Sequence, residues 1–354
     1  MVGTAHPTSM EYEGRYQAFD ATRIRTYPLR TRSNKVKLDD LVFPKDLAGR
    51  AFNLPERVQE DIRAVAEAIG AARQAGRPVI LFTGAHLIKN GLGPLLVELV
   101  ERGAVTLVAG NGATAIHDFE LALVGETSEN VPAGLDKGQF GMAYEFAYIN
   151  MALSVGNQQK LGYGESLGRM ICDETFRRAI LALATQPDSI AGFGHPEVSV
   201  LAACYRRGIP FTVHVGIGTD VIDQHPSFDG QAKGGCSGRD FLLYTQEVTK
   251  LTQGGVVLNI GSAVTGPEVL LKAVSMAANI GRVPRGILTA DFDLRVHEPR
   301  QMTDESAPGY YFRDQKSVVT RIPQAFGGRG LYLQGDQTQT FPFLCKQLVE
   351  VLTK

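Results

Sequence analysis

Tryptophan is missing from this chain, and only four of its 354 residues are cysteine. Cys172, Cys204, Cys236 and Cys345 lie far apart and form no C-x-x-C pair. That spacing argues against a structural zinc site and a disulfide framework, and it fits a reducing cytoplasm. An excess of either charge is missing too: 36 basic residues face 37 acidic ones, for a net charge of −1. Nothing here marks an electrostatic binder of nucleic acid. No apolar run approaches the roughly 20 residues needed to cross a bilayer, and the opening MVGTAHPTSMEYEGRY has no apolar signal core. A Walker loop is absent, and neither glycine turn described next has the G-x-G-x-x-G spacing of the ordinary Rossmann fingerprint.

What is present is organised around Val79 to Glu120, VILFTGAHLIKNGLGPLLVELVERGAVTLVAGNGATAIHDFE. Val79-Ile80-Leu81-Phe82 is a short apolar run that ends in the small-residue turn Thr83-Gly84-Ala85. Leu92, Leu95, Leu96, Leu99 and Val100 then repeat at helical spacing, up to Arg102-Gly103. Val105 to Val108 is a second apolar run, ending in Ala109-Gly110-Asn111-Gly112, and a helical segment follows from Ala115. Strand, turn, helix, repeated, is the pattern of a parallel sheet with crossover helices. Both turns fall at the carboxyl ends of strands, the edge at which open parallel sheets bind ligands. Glycine leaves backbone N–H groups uncovered there, and the next helix adds partial positive charge at its start. Two such turns point to a nucleotide site; plain tight turns are the alternative.

Residues 1 to 54 are polar and irregular, with Arg23, Arg25, Arg30, Arg32, Lys35 and Lys37 in one region. They read as a solvated N-terminal extension packed on the domain surface, with a subunit contact or a phosphate as the alternative. Pro55 opens a helix to about Ala75. Leu121 to Gln158 reads as a partly helical excursion above the sheet, with a helix over Tyr144 to Val155. A helix follows over about Ser166 to Thr185, and Glu165 before it either faces a ligand or marks a helix start. His195-Pro196-Glu197 opens a helix to Arg207. Strands are expected at Phe211 to Val215, Gly255 to Ile260 and Gly286 to Thr289, and final ones at Ser317 to Ile322 and Gly330 to Leu333. Helices are expected over about Arg239 to Leu251, Pro267 to Ile280 and Thr340 to Leu352. The whole is an α/β chain: a Rossmann-like parallel sheet with helices on both faces, forming one domain over residues 55 to 354.

The order of short motifs resembles the deoxyhypusine synthase-like group over most of residues 78 to 345. Thr83-Gly84-Ala85 and Lys89-Asn90-Gly91 stand where that group has a Thr-Ser-Asn turn and a later Ser-Ser-Gly. Ala109-Gly110-Asn111-Gly112 with His117-Asp118 stands for its Thr-Ala-Gly-Gly turn and acidic helix, and Ile209-Pro210 with Gly218 to Asp223 for its Ile-Pro strand and Asp-Gly-Thr loop. Gly261-Ser262-Ala263-Val264 and Thr289-Ala290-Asp291-Phe292-Asp293 match a Gly-Gly-Gly-Val turn and Thr-Ala-Gln-Glu-Phe-Asp, and Asp336 to Leu344 looks like the closing segment. GNGATAIHDFELALVGETSE is also similar to a stretch of the related ornithine cyclodeaminases. The resemblance implies NAD as cofactor, oxidation of an amine carbon to an imine, and a homotetramer with shared active sites. It assigns cofactor contacts to Thr83, Gly84, Ala85, Asn90, Gly110, Asn111, Gly112, Asp223, Gly261, Ser262, Ala263, Thr289, Ala290 and Asp293. The group's catalytic lysine lies in a Ser-Trp-Gly-Lys segment that a chain without tryptophan cannot contain; the nearest counterpart is Arg313-Asp314-Gln315-Lys316-Ser317, with Lys316 as the imine-forming candidate.

Read as chemistry, His117-Asp118 offers a base and a carboxylate to orient it, with packing on the helix as the alternative. His214 lies in an apolar strand and reads as a core histidine. Asp220, Asp223, His225 and Asp229 form a polar loop whose spacing is no metal motif, so no metal is expected. Asp291 and Asp293 end a strand, where a carboxylate can accept ribose hydroxyls. Cys236 has no identified base and reads as an incidental thiol. The expected protein is a cytoplasmic NAD-dependent enzyme acting on a small amine, amino acid or related metabolite, without nucleic-acid or membrane partners. The alternative is a non-catalytic nucleotide-binding or regulatory protein of the same fold.

Overall fold

The computed structural model describes residues 12 to 184, 186 and 188 to 353. The start of the N-terminal extension and Thr185, the expected end of a helix, lie outside the described residues. The strands are β1 (Asn34–Lys37), β2 (Val79–Thr83), β3 (Leu107–Asn111), β4 (Glu126–Glu129), β5 (Phe211–His214), β6 (Val256–Ile260), β7 (Leu288–Asp293) and β8 (Arg329–Gln334). The helices are α1 (Glu56–Gln74), α2 (His86–Lys89), α3 (Gly93–Glu101), α4 (Gly112–Val124), α5 (Val131–Asp136), α6 (Phe146–Gln158), α7 (Tyr163–Cys172), α8 (Glu174–Ala184), α9 (Val200–Arg207), α10 (Gly230–Val248), α11 (Thr265–Asn279), α12 (Ile322–Ala325) and α13 (Gln337–Thr353). A π-helix, Gln315–Arg321, runs into α12. No helix among the described residues is long and apolar enough to cross a membrane.

Six strands form one parallel sheet in the order β5-β3-β2-β6-β7-β8. Among these six, the chain order across the sheet is 3-2-1-4-5-6, the doubly wound arrangement. The run Val79 to Thr83 is buried throughout, and apolar up to Phe82, because both sheet faces are covered. Val79 and Leu81 enter the larger core with α1 and α3, while Ile80 and Phe82 enter a second core with α10 and α11. On α1, Ile62, Val65, Ala66 and Ile69 form the buried stripe that the helical spacing requires. Strand β5 is a sheet edge, and α10 closes it: Val213 N–H donates to Asp240 Oδ2 at 2.7 Å and Ser237 Oγ donates to the Val213 carbonyl at 2.8 Å.

Four expectations need correction. Ser317 to Ile322 is not a strand but the last five residues of the π-helix and the first of α12, because Val318 and Ile322, four residues apart, pack together on the second core. The helix expected over Ser166 to Thr185 is two, α7 and α8, broken at Asp173, whose Oδ1 accepts from Phe176 N at 3.1 Å. Helix α10 starts nine residues before Arg239, because Asp229 Oδ1 caps it by accepting from Gln231 N (2.9 Å) and Ala232 N (3.0 Å). The excursion after Leu121 contains β4, which pairs antiparallel with β1, Val36 opposite Thr127 and Asn34 opposite Glu129.

Candidate functional site

The turns after β2 and β6 meet at the point where the strand order reverses. Gly84 N–H donates to the Ile260 carbonyl at 2.9 Å, and Gly261, at φ +64°, donates to the Phe292 carbonyl at 3.1 Å. Gly84 is glycine because the Gly261 carbonyl lies against its Cα, not to leave room for a ligand. Beside this contact opens a crevice of about 410 Å³, lined by His86, Asn90, Gly261, Asp293, Gln337 and Thr338 among others. Asn90 Nδ2 donates to Gln337 Oε1 at 3.4 Å. Gln337 Nε2 is buried above Gly261 and has no acceptor among the described residues. Asn90, Gly261 and Asp293, three of the residues the resemblance assigns to a dinucleotide, therefore line one crevice.

The glycine turn after β3 does not fit one. Asn111 caps α4 by accepting from Thr114 N at 2.9 Å, and Gly110 packs against the Thr114 side chain. Gly112 lies directly under the Asp220 carboxylate, so an anion already stands at the start of α4. Asp220 is held there by Lys233, whose fully buried ammonium donates to Asp220 Oδ2 at 2.7 Å and to Asp223 Oδ1 at 2.6 Å. Asp223 Oδ2 accepts from Gly218 N at 2.7 Å, so Asp223 ties its own loop together. Three other assigned residues also serve the fold. Ser262 Oγ accepts from Gly266 N at 2.9 Å and starts α11, Thr289 Oγ1 donates to the Val318 carbonyl at 2.5 Å, and Ala290 is buried within β7. Thr83 is buried with its hydroxyl on the Gly84 carbonyl, Ala85 begins α2, and Ala263 is exposed in the turn.

A second cavity, of about 250 Å³, opens beside α4 and is lined by Arg32, Lys89, His117, Glu120, Glu129 and Asp220 with Phe140 and Phe146. His117 Nδ1 is 2.7 Å from Thr127 Oγ1, and the Thr127 hydroxyl donates to Glu120 Oε2. Arg32 pairs with Glu120 Oε1 and stands 3.7 Å from Glu129 Oε2, and Glu129 Oε1 accepts from Tyr27 OH at 3.0 Å. Burial pushes Glu120 up, but Arg32 and then His117 outweigh it and hold the carboxyl at about 2. Ionised Glu120 can only accept, so the single Thr127 proton goes to it, and Thr127 must accept from His117 Nδ1–H. In the neutral ring the network thus puts the proton on Nδ1 and the lone pair on His117 Nε2, the arrangement of a general base. Ser128, between the two network residues of β4, sits at φ +70°, a conformation that costs a side-chain-bearing residue about 1–3 kcal/mol and is found mostly at functional sites. Helix α2 joins the two cavities: Lys89 lines one and His86 the other, and burial, Lys89 and His117 all lower the His86 pKa.

Asp118 is not the partner of His117. Its carboxylate accepts from Ser199 Oγ (2.6 Å), Val200 N (2.8 Å) and Leu201 N (3.0 Å) and so caps α9 on the other side of α4. The carboxylate near His117 is Glu120, 3.6 Å from Nδ1 and bridged to it by Thr127; it is three residues after His117 and so shares its helix face, a signal present in the sequence. Lys316 lines neither cavity; its ammonium donates to the Tyr310 carbonyl at 3.3 Å and covers the Tyr310 ring. The N-terminal segment is not merely solvated, since Arg32 is buried in the network and Leu29 in the core. Gly164-Glu165-Ser166-Leu167-Gly168 has the spacing of a nucleophile elbow, but Ser166 is buried inside α7 with its hydroxyl on the Gly162 carbonyl at 2.6 Å. Cys236 is buried, and burial raises its thiol pKa. His214 is a core histidine stacked on Phe82.

No family model and no curated protein matches the chain. Solved structures similar to it include ArgZ, an arginine dihydrolase from the ornithine-ammonia cycle in Cyanobacteria, at 17% identity and a TM-score of 0.45, covering 85% of this chain and 33% of that one. Another is the ternary complex of AgrE with ornithine and NAD+, at 16% identity and a TM-score of 0.45, covering 85% and 34%. This chain therefore spans about a third of the length of either protein. A putative deoxyhypusine synthase from Entamoeba histolytica is similar over 93% of this chain and 98% of its own, at 10% identity and a TM-score of 0.42.

Proposed function

We propose that the chain is an NAD-dependent enzyme that oxidises a small amine or amino acid at the carbon bearing nitrogen. The observation that supports this reading is His117, held as the Nδ1–H tautomer by Thr127, Glu120 and Arg32 in a cavity that adjoins the switch-point crevice. Asn90, Gly261 and Gln337 would hold the dinucleotide, which when bound supplies the hydride acceptor. Arg32 and Lys89 line the cavity together with Glu129 and Asp220, so it offers charge of both signs to a substrate that carries both. His117 Nε2 takes the proton from the substrate nitrogen, and Glu120 stabilises the imidazolium that forms. Phe140 and Phe146 limit the water that reaches it.

The test is a calorimetric titration with NAD, NADH, NADP and NADPH, followed by a screen of amines and amino acids for cofactor reduction. Binding of one redox pair with turnover that falls at least a hundredfold in His117→Ala is the expected result. Thr127→Val should keep cofactor affinity and lower turnover about tenfold to a hundredfold, because it frees the tautomer. Cofactor binding without turnover on any amine would favour a regulatory nucleotide-binding protein; no binding at all would remove the cofactor reading.

A further inference from the structure

Most polar groups on the wall of the His117 cavity are already committed within the protein. Arg32 pairs with Glu120, and its Nε donates to Asn34 Oδ1 at 2.8 Å. Glu129 accepts from Tyr27 OH and from Gly141 N, each at 3.0 Å, and Asp220 is held by Lys233. Thr219 Oγ1 donates to the Gly216 carbonyl at 2.9 Å. Two side chains on the same wall differ. Neither the Lys89 ammonium nor the Ser128 hydroxyl has a hydrogen-bond or ion-pair partner among the described residues.

Both groups are open to a ligand. Lys89 is half-buried at the end of α2. Ser128 is 7% exposed, and its oxygen retains accessible surface. Ser128 also sits at φ +70°, between Thr127 and Glu129 of the network. Glycine takes that left-handed conformation without strain, so a serine held there at a cost points to use of its hydroxyl. Lysine brings a charged N–H donor and serine a neutral O–H donor, the pair of groups that a carboxylate accepts from.

The charges around the cavity lead to the same ligand group. Arg32 faces two carboxylates, Glu120 and Glu129, and Lys233 faces two, Asp220 and Asp223, so each cluster keeps one negative charge in surplus. A simple amine would meet that surplus but would leave Lys89 opposing its own positive charge. An α-amino acid meets both, with its nitrogen toward the acidic groups and His117 and its carboxylate on Lys89. An apolar cavity of about 150 Å³ holds a benzene ring, so the roughly 250 Å³ here admits one small amino acid, with Ile116, Val131, Phe140 and Phe146 against its apolar atoms. We propose that Lys89 and Ser128 form a subsite for the substrate carboxylate, through which the chain selects an α-amino acid over the amine that lacks the carboxyl group. This inference rests on the reading of the His117 cavity as the substrate site and narrows the class of substrate it takes.

The experiment reads binding rather than turnover, by calorimetric titration of the full chain with and without excess NADH. Two pairs of probes differ only in the carboxyl group: L-norvaline with butylamine, and L-ornithine with putrescine. At least one amino acid is expected to bind saturably, at least tenfold more tightly than its amine. Lys89→Met should abolish that preference, and Lys89→Arg, which keeps the charge, should retain most of it. Ser128→Gly suits the backbone at φ +70° and removes the hydroxyl; it should reduce the preference several-fold, and it serves if Lys89→Met does not fold. An amine that binds as tightly as its amino acid, a preference that survives Lys89→Met, or no saturable binding of either amino acid would each overturn the proposal. Cofactor reduction, assayed separately, distinguishes this inference from the reading it rests on. Carboxylate-dependent binding without reduction of NAD supports the subsite and fails the oxidation reading. Reduction by an amine as fast as by its amino acid keeps the oxidation reading and overturns the subsite.

Discussion

A Cβ placed on Gly84 would lie 2.2 Å from the carbonyl oxygen of Gly261. The two turns that flank the reversal of strand order are therefore in backbone contact, and a backbone carbonyl cannot swing aside as a flexible side chain would. Gly84→Ala is expected to lower the unfolding free energy by about 1–3 kcal/mol and to weaken NADH binding in the adjoining crevice, read by urea denaturation and fluorescence titration. Gly234→Ala is the contrast. It is exposed within α10 with open space where its Cβ would stand, and it should gain up to about 1 kcal/mol.

Glu120 gives a pH signature with a definite sign. Its folded pKa, about 2, is below the ordinary 4.5, so its contribution is fully present above pH 4.5 and is lost as pH falls through the folded value. By pH 3 the wild type should lose about 2 kcal/mol that Glu120→Gln does not lose, since 1 unit corresponds to about 1.4 kcal/mol. Chemical denaturation of both proteins between pH 5.5 and 3 measures the difference; parallel curves would show that Arg32 does not hold the carboxylate ionised.

His214 acts in a higher window. Burial lowers its pKa to about 3, so the unfolded chain takes up a proton near pH 6.5 while the folded chain does not. Stability should fall as pH drops below 6.5, by about 3 kcal/mol at pH 4.5 from this residue alone. His214→Phe, which can keep the stack on Phe82, should flatten that part of the curve.

Lys233 holds two carboxylates, Asp220 and Asp223, in a buried ion triad. Lys233→Met should cost about 3–5 kcal/mol, because it leaves both charges without a partner. The triple substitution that also carries Asp220→Asn and Asp223→Asn should recover a large part of that loss. Thermal denaturation distinguishes the two; equal losses would mean that packing, not charge, is what Lys233 supplies.

The sheet was legible in the sequence because its strands are short apolar runs that end in small residues, as at Phe82-Thr83-Gly84 and Ile260-Gly261. The site was legible only where its parts are local. His117 could be found from its place after a strand and turn, and Asn90 and Gly261 from theirs. Asp118 was misread because sequence adjacency puts it about 100° round the helix from His117, where it meets Ser199 instead. Arg32 and Thr127 had no local signal. Arg32 reaches a carboxylate 88 residues away, and β4 is a polar strand that only its pairing with β1 defines. The glycine turn at Gly110 to Gly112 looked like a phosphate cradle because the carboxylate that fills it, on Asp220, comes more than a hundred residues later.

The two-stranded ribbon of β1 and β4 has a bearing on how the protein is assembled. It brings the segment that carries Arg32 beside the strand that carries Thr127 and Glu129, while the six-stranded sheet is complete without it. A chain that begins after residue 55 would retain every pairing of the six-stranded sheet and yet lack the cation that keeps Glu120 ionised. The ribbon therefore ties the N-terminal segment to the sheet domain: the six-stranded sheet does not need it, but the pairing of Arg32 with Glu120 beside His117 does.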